Sequence, residues 1–264
     1  RELAIQVSVA MRGYSQQLQG LRTLSIYGGQ DYGPQLKQLK AGQHVIVGTP
    51  GRVMDHLRRG TLDLKAIKAL VLDEADEMLK MGFLEDVEWI LEQAPAQRQM
   101  ALFSATMPDR MRTLAHDLLN DPVTVQLALS KPAAKVKQGA YIVFDHQKDA
   151  VLVDVLKDRN VKSGIVFTSR KRTVGQVVRA LRKAGIKCGR MSSDLEQSER
   201  EEVMLAFRQQ KLPILVATDV VSRGIDIDSI ELVVNYDVPP NEEDYVHRIG
   251  RTARAERKGE GITL

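Results

Sequence analysis

The chain has one cysteine, Cys188, among its 264 residues, so no internal disulfide can form and stability has to come from packing. Its five histidines, at 44, 56, 116, 146 and 247, are scattered and share no ligand spacing with that cysteine, which argues against a structural zinc. No apolar run approaches the roughly 18 residues that a membrane span needs. The first residues lack the apolar core of a signal peptide. The expectation is therefore a soluble, cytoplasmic protein with no membrane partner. Acids are missing from one long stretch: from Arg159 to Ser193 there are ten Lys or Arg residues and no Asp or Glu, between Asp158 and Asp194. The helix around Arg179, Arg182 and Lys183 reads equally well as a solvated face. The remainder fits a phosphate-binding surface.

What is present is enough apolar material, 43% of residues, to bury a full core in about two domains. Net charge is +4 and the pI is near 9.1, which points toward a polyanionic partner. Strand-like runs alternate with helix-period segments, the pattern of parallel sheets with crossover helices. Helices are expected over 2–13 and 33–41, then after Pro50, over 74–93, after Pro108, over 147–158 and around Val174–Leu181. Strands are expected at Leu24–Tyr27, His44–Gly48, 67–72, Met100–Phe103, Val123–Leu127, Tyr141–Phe144, Ile165–Thr168, Ile214–Ala217 and Leu232–Asn235. The small, polar and proline residues Ser130 to Lys135 break the rhythm. We expect a first domain over 1–129, a linker over 130–138 and a second domain over 139–264. The chain opens on Arg1-Glu2-Leu3-Ala4 without methionine and stops at Gly261-Ile262-Thr263-Leu264, so both ends read as cut.

The candidate chemistry sits at strand tips and strand-to-helix turns, where α/β sheets keep their ligands. Ala69-Leu70-Val71-Leu72 reads as a buried parallel strand ending in Asp73-Glu74-Ala75-Asp76. Three acids in four residues repel one another unless a cation takes up the charge. Mg²⁺ escorting nucleotide phosphates is the usual one, and a charged turn capping the next helix is the alternative. Gly28-Gly29 follows a strand, and Thr49-Pro50-Gly51-Arg52 leads into a helix whose N-terminal amides favour a phosphate; a plain turn is the alternative. Ser104-Ala105-Thr106 can relay hydrogen bonds to neighbouring carboxylates or cap a helix. Farther on, Ala217-Thr218-Asp219 ends a strand. In Arg223-Gly224-Ile225-Asp226, Gly224 permits close backbone approach and Asp226 can accept from a ribose hydroxyl. His247 to Arg254 holds three arginines, and on a helix Arg251 and Arg254 share a face. They read as guanidinium forks for a phosphoryl group or as a basic helix end.

In order and spacing these stretches resemble the DEAD-box family of ATP-dependent RNA helicases, essentially end to end. The resemblance rests on Asp73–Asp76, Ser104-Ala105-Thr106, Thr49-Pro50-Gly51-Arg52, the Gln197 and Arg200 pair, Arg223-Gly224-Ile225-Asp226 and His247–Arg254. It implies two tandem RecA-like α/β domains, the first incomplete, closing over ATP, Mg and RNA as a monomeric core. It also implies roles. Asp73 would hold Mg²⁺ through water, and Glu74 would orient the attacking water. Asp76 would link Ser104, Thr106 and the His247 motif. Gly224 and Asp226 would lie at the nucleotide, and Arg251 and Arg254 would stabilise the γ-phosphate transition state from across the cleft. Arg1 (from the family's Pro-Thr-Arg-Glu-Leu-Ala), Gly28, Gly29, Thr49, Gly51, Arg52, Arg200 and Thr218 would follow the RNA backbone, contacts that fix position and not sequence.

Departures from the family pattern limit the reading. No Gly-x-x-x-x-Gly-Lys-Ser/Thr phosphate loop and no adenine-reading glutamine segment occur in these residues. The expectation is negligible ATPase from residues 1–264 alone. Met191-Ser192-Ser193-Asp194 stands where the family favours His-Gly-Asp, and Ala253 stands where it favours glycine. Three functions follow: a helicase core, a hydrolysis-incompetent RNA-binding fragment, or a DNA-directed relative. The RNA target and the protein partners leave no trace in the sequence.

Overall fold

Alternation of short apolar strands with amphipathic helices builds two units, Arg1–Gln126 and Leu127–Leu264. The computed structural model describes residues 1–126, 136–219, 230–252 and 259–264. The first unit runs α1 (Glu2–Tyr14), β1 (Thr23–Ile26), α2 (Tyr32–Lys40), β2 (Val45–Gly48), α3 (Pro50–Arg58), β3 (Ala69–Leu72), α4 (Ala75–Lys80), α5 (Leu84–Glu92), β4 (Gln99–Leu102) and α6 (Asp109–Leu118). β1 pairs with β2 and β3 with β4, both parallel. Among the described residues these remain two separate two-stranded sheets. Each has its own apolar cluster, Leu24, Ile26, Leu62 and Leu64 under the first, and Leu72, Val87, Leu91, Met111 and Leu114 under the second. Gly48 is required where β2 turns into α3. A Cβ there would sit 2.3 Å from Val53 Cγ2 and 2.9 Å from Ile26 Cγ1.

The second unit runs β5 (Val136–Ala140), a 3₁₀ turn (Asp145–Gln147), α7 (Lys148–Asp158), β6 (Gly164–Thr168), α8 (Lys171–Lys183), β7 (Cys188–Met191), α9 (Gln197–Arg208), β8 (Ile214–Thr218), β9 (Leu232–Asn235), α10 (Glu242–Ile249) and β10 (Gly259–Thr263). Its six strands form one sheet in the order β5-β10-β9-β6-β8-β7, all parallel. Strand residues alternate between two cores. Val166, Val216 and Val234 face Leu152 of α7 and Val174, Val177, Val178 and Leu181 of α8. Ile165, Phe167, Leu215 and Val233 face Met204 and Phe207 of α9 and Ile249 of α10.

Several expectations fail for physical reasons. β3 is not a buried strand: Val71 is 56% exposed and only Leu72 is buried, and among the described residues β4 is its one partner strand. Residues 123–126 form no strand, and Val123 and Val125 are exposed. The strand expected at Tyr141–Phe144 lies earlier, at Val136–Ala140, so residues 136–138 belong to the sheet and not to a linker. β5 is an edge strand with one buried residue, Val136, so it carries no alternation to read. The β-rich Tyr141–Phe144 leaves Ile142 and Phe144 in solvent. β7, Cys-Gly-Arg-Met, was not anticipated, since it lacks β-formers. Residues 130–135 lie outside the described residues. Among the described residues no helix is long and apolar enough to cross a membrane.

Candidate functional site

At the tips of β3 and β4 the backbone is stitched together: Phe103 N–H donates to Leu72 C=O at 2.8 Å and Ala75 N–H to Phe103 C=O at 3.1 Å. This places the acids beside the hydroxyls. Asp76, 1% exposed, accepts at Oδ2 from Thr106 N–H at 2.9 Å and Thr106 Oγ1–H at 2.8 Å. Ser104 Oγ accepts from Asp76 N–H at 3.3 Å and donates to Thr106 C=O at 2.6 Å. The helix-cap alternative for these hydroxyls does not hold for α6, whose N-cap is Pro108 with no side-chain cap bond. Asp76 is therefore a strut. Glu74 sits in the left-handed region at φ 50, ψ 47, which costs a non-glycine residue roughly 1–2 kcal/mol. Strain of that kind collects at functional positions. Asp73 is exposed, and its Oδ1 accepts from Glu74 N–H at 3.0 Å. Its hard oxygens suit Mg²⁺ held largely through water and phosphate. Among the described residues no group of three or more His, Cys, Asp or Glu forms a protein cage for a metal.

The tips of β1 and β2 gather a second set. Thr49 N–H donates to Ile26 C=O at 3.0 Å, Gly29 takes φ +84, and Gly28 lies beside the Arg1 guanidinium. Arg52 reaches back to this turn, donating from Nη2 to Gln30 C=O at 3.2 Å and from Nη1 to Gln35 Oε1 at 3.3 Å, with its guanidinium 4.8 Å from the Tyr32 ring centre. Beneath it lies a buried polar chain that sequence reasoning missed. Gln35 Oε1 is 3.2 Å from His56 Nε2, and His56 Nδ1 is 2.8 Å from Thr61 Oγ1. Burial first, then the Arg52 cation, push the His56 pKa below its ordinary value. The readable signal was polar residues on inward helix stripes: Gln35 is four before Leu39, and His56 is three after Val53. Thr49 starts α3 without a side-chain cap bond, and Gly51 is exposed in the first turn.

In the second unit, Thr218 ends β8, 8% exposed, and Arg200 lies on α9, equally buried. Among the arginines in His247–Arg254, Arg248 is buried, 2% exposed. It makes a bidentate pair with Asp219 at 2.6 and 2.7 Å and donates to Asp237 C=O at 2.8 Å. Asp219 and Arg248 are thus structural partners that the spacing did not single out. α10 ends at Ile249, and Arg251 lies in the turn that follows; the shared helix face expected for Arg251 and Arg254 involves a residue outside the described ones. His247 is half-buried on α10. The Asp194 carboxyl is held below the usual range, first by the neighbouring Ser192 hydroxyl and its own backbone amide and then by the Arg190 and Lys171 charges. Gly224, Asp226 and Arg254 lie outside the described residues.

A family model for the DEAD/DEAH box helicase matches residues 1–114, and one for the helicase conserved C-terminal domain matches residues 147–256. The chain belongs to the DEAD-box helicase family. It is 44% identical over 252 residues to the ATP-dependent RNA helicase DeaD of Escherichia coli K12, covering 95% of this chain and 40% of that protein. DeaD of Buchnera aphidicola subsp. Baizongia pistaciae is 43% identical over 263 residues, 99% of this chain and 44% of the relative. The chain thus spans about two fifths of these curated relatives. Among solved structures, S. cerevisiae Dbp5 bound to RNA and ADP BeF3 superposes with a TM-score of 0.88 at 31% identity, over 100% of this chain and 68% of that one. Mss116p bound to ssRNA and AMP-PNP gives 0.85 at 25% identity, over 100% and 57%. These neighbours are tandem RecA-like helicases, and the two α/β units of this DEAD-box chain follow that architecture.

Proposed function

We propose that residues 1–264 form most of the core of an ATP-dependent RNA helicase that couples hydrolysis to local unwinding of RNA. The observation that carries this reading is the strut at Asp76. Its bonds to Thr106 and Ser104 lock the β3 and β4 tips and set the exposed Asp73 and the left-handed Glu74 beside them. In this reading Asp73 would hold Mg²⁺ through water, which would supply positive charge to the nucleotide phosphates. Glu74 would orient the attacking water. Arg251 and Arg254 would stabilise charge developing on the γ-phosphate, and Gly224 and Asp226 would hold the nucleoside. Arg1, Gly28, Gly29, Thr49, Gly51, Arg52, Arg200 and Thr218 track the RNA backbone. Arg52 suits this because Gln30, Gln35 and Tyr32 preset its fork. The core is soluble, cytoplasmic and monomeric in this reading.

No Gly-x-x-x-x-Gly-Lys-Ser/Thr loop occurs in residues 1–264, so nothing in them supplies the usual amide cradle for the β- and γ-phosphates. That favours a second reading for these residues taken alone: RNA binding without turnover. RNA-stimulated phosphate release separates the two. We expect it to be negligible for residues 1–264 and restored when a segment carrying the loop is supplied. Turnover by residues 1–264 alone overturns the second reading. Silence with the loop present overturns the first. In the restored protein, Arg254→Ala lowers turnover on the order of 10³-fold and leaves RNA affinity unchanged; an equal fall in RNA affinity assigns that arginine to the RNA surface. Equal stimulation by RNA and DNA of one sequence counts for a DNA-directed relative, since 2′-hydroxyl contacts discriminate the two.

A further inference from the structure

The helix α8 carries a charge pattern that folding does not explain. Val174, Val177, Val178 and Leu181 are buried against the sheet. At 100° per residue, Arg172, Arg179 and Lys183 fall on the opposite side, within one narrow stripe. All three are exposed, and among the described residues none has an acidic partner. Solvated faces normally interleave both signs. Here Arg179 stands three residues from Arg182 and four from Lys183, spacings at which like charges destabilise a helix. The first turn contains no acid, so its cations also oppose the helix dipole. Arg182 and Lys183 in the last turn agree with the dipole, but the first turn contrasts with that of α10, which holds Glu242, Glu243 and Asp244.

The stripe also begins at a meaningful place. β6 pairs with β8 so that Thr168 is opposite Thr218, and α8 starts three residues after Thr168. One end of the stripe therefore lies at the sheet edge that carries Thr218. From Arg172 the stripe runs down the flank for about 10 Å to Arg179 and about 6 Å more to Lys183 at 1.5 Å per residue. A nucleic-acid strand carries a phosphate at every nucleotide, so a stripe of that length spans several. We propose that Arg172, Arg179 and Lys183 form an accessory, sequence-blind contact for the phosphate backbone of RNA that extends beyond Thr218. The proposal rests on the RNA-binding reading above and adds a second surface to it.

The test is a charge reversal on the intact chain: Arg172→Glu, Arg179→Glu and Lys183→Glu together, with all three changed to Lys or Arg in exchange as the charge-conserving control. Affinity for a single-stranded RNA of about 20 nucleotides is read by fluorescence anisotropy over a salt series. Each lost contact flattens the slope of log K against log salt by about 0.7. The expected result is a slope flatter by about 2 and a loss of affinity of tenfold or more at low salt, with the control unchanged. An unchanged slope, while the unsubstituted chain binds RNA, overturns the stripe alone. No RNA binding by the unsubstituted chain overturns both the stripe and the reading beneath it. Loss of binding to phosphatidylserine vesicles with RNA affinity intact also overturns the proposal and assigns the face to an anionic membrane surface.

Discussion

The two units treat their strands differently. In the second, every residue of β6, β8 and β9 is buried; in the first, β3 buries only Leu72 and β4 buries none. A continuous sheet holds its tip residues by packing on both faces. In the first unit the tip acid Asp76 is held instead by hydrogen bonds to the side chains of Thr106 and Ser104. Disturbing a site residue should therefore unsettle the whole of the second unit and only one corner of the first.

The sharpest way to break this contrast is Arg248→Ala, which strips the bidentate partner from Asp219 and leaves the Asn235 and Asp237 oxygens in the core without a donor. A loss of about 3–5 kcal/mol is expected, as for a buried pair with one partner removed. It is read as a shifted urea midpoint of the second unit. A loss under about 1 kcal/mol would put both units on the same footing. Thr106→Val keeps the shape but removes a hydroxyl donor to a buried carboxylate, a change of about 1.5–3 kcal/mol. Amide exchange should rise at Asp76 and Thr106 and stay unchanged across β6 and β8; a rise across the second sheet ends the distinction. Glu74→Gly releases the left-handed strain and raises stability by about 0.5–1 kcal/mol after glycine's entropy is counted, seen as a higher melting temperature in the same protein that loses its candidate acid. A fall in melting temperature means that Glu74 makes contacts worth more than its strain.

The smallest effect is a pH dependence in the second unit. Arg159 holds Glu260 with bonds of 2.9 and 3.0 Å and depresses its carboxyl pKa. A carboxylate whose native pKa lies below its unfolded value contributes stability that is present above that unfolded value, about 4.3, and is lost as the pH falls through the native one. The pair is partly exposed, so the contribution is below about 1 kcal/mol. Urea midpoints of the native chain and Glu260→Gln should differ at pH 6 and converge toward pH 3; a constant gap removes the pair from the ledger.

Much of the fold was legible because periodicity survives wherever an element has a buried face. α1, α3, α8 and the central strands β6, β8 and β9 lie within a residue or two of their expected places. The failures are edge or exposed segments: β5, β7 and 123–126. An edge strand with one inward residue has no alternation to display, and exposed Ile142 and Phe144 imitate one. At the site, Asp76, Ser104 and Thr106 were nominated by order along the chain and come together as neighbours. Arg248 was hidden among three arginines of equal appearance, and Gln35 and His56 were hidden as isolated polar residues.

By itself the sequence determined the alternating α/β order, the acids and hydroxyls at successive strand tips, the one-sign stretch around α8 and the family, because these are patterns along the chain. Only the tertiary structure decided which of two chemically equal groups is buried: Arg248 against Asp219 while Arg251 stays in a turn, Asp76 as a strut while Asp73 remains in solvent. Burial depends on what packs from distant parts of the chain, and identical side chains acquire different work from the dielectric and the partners around them.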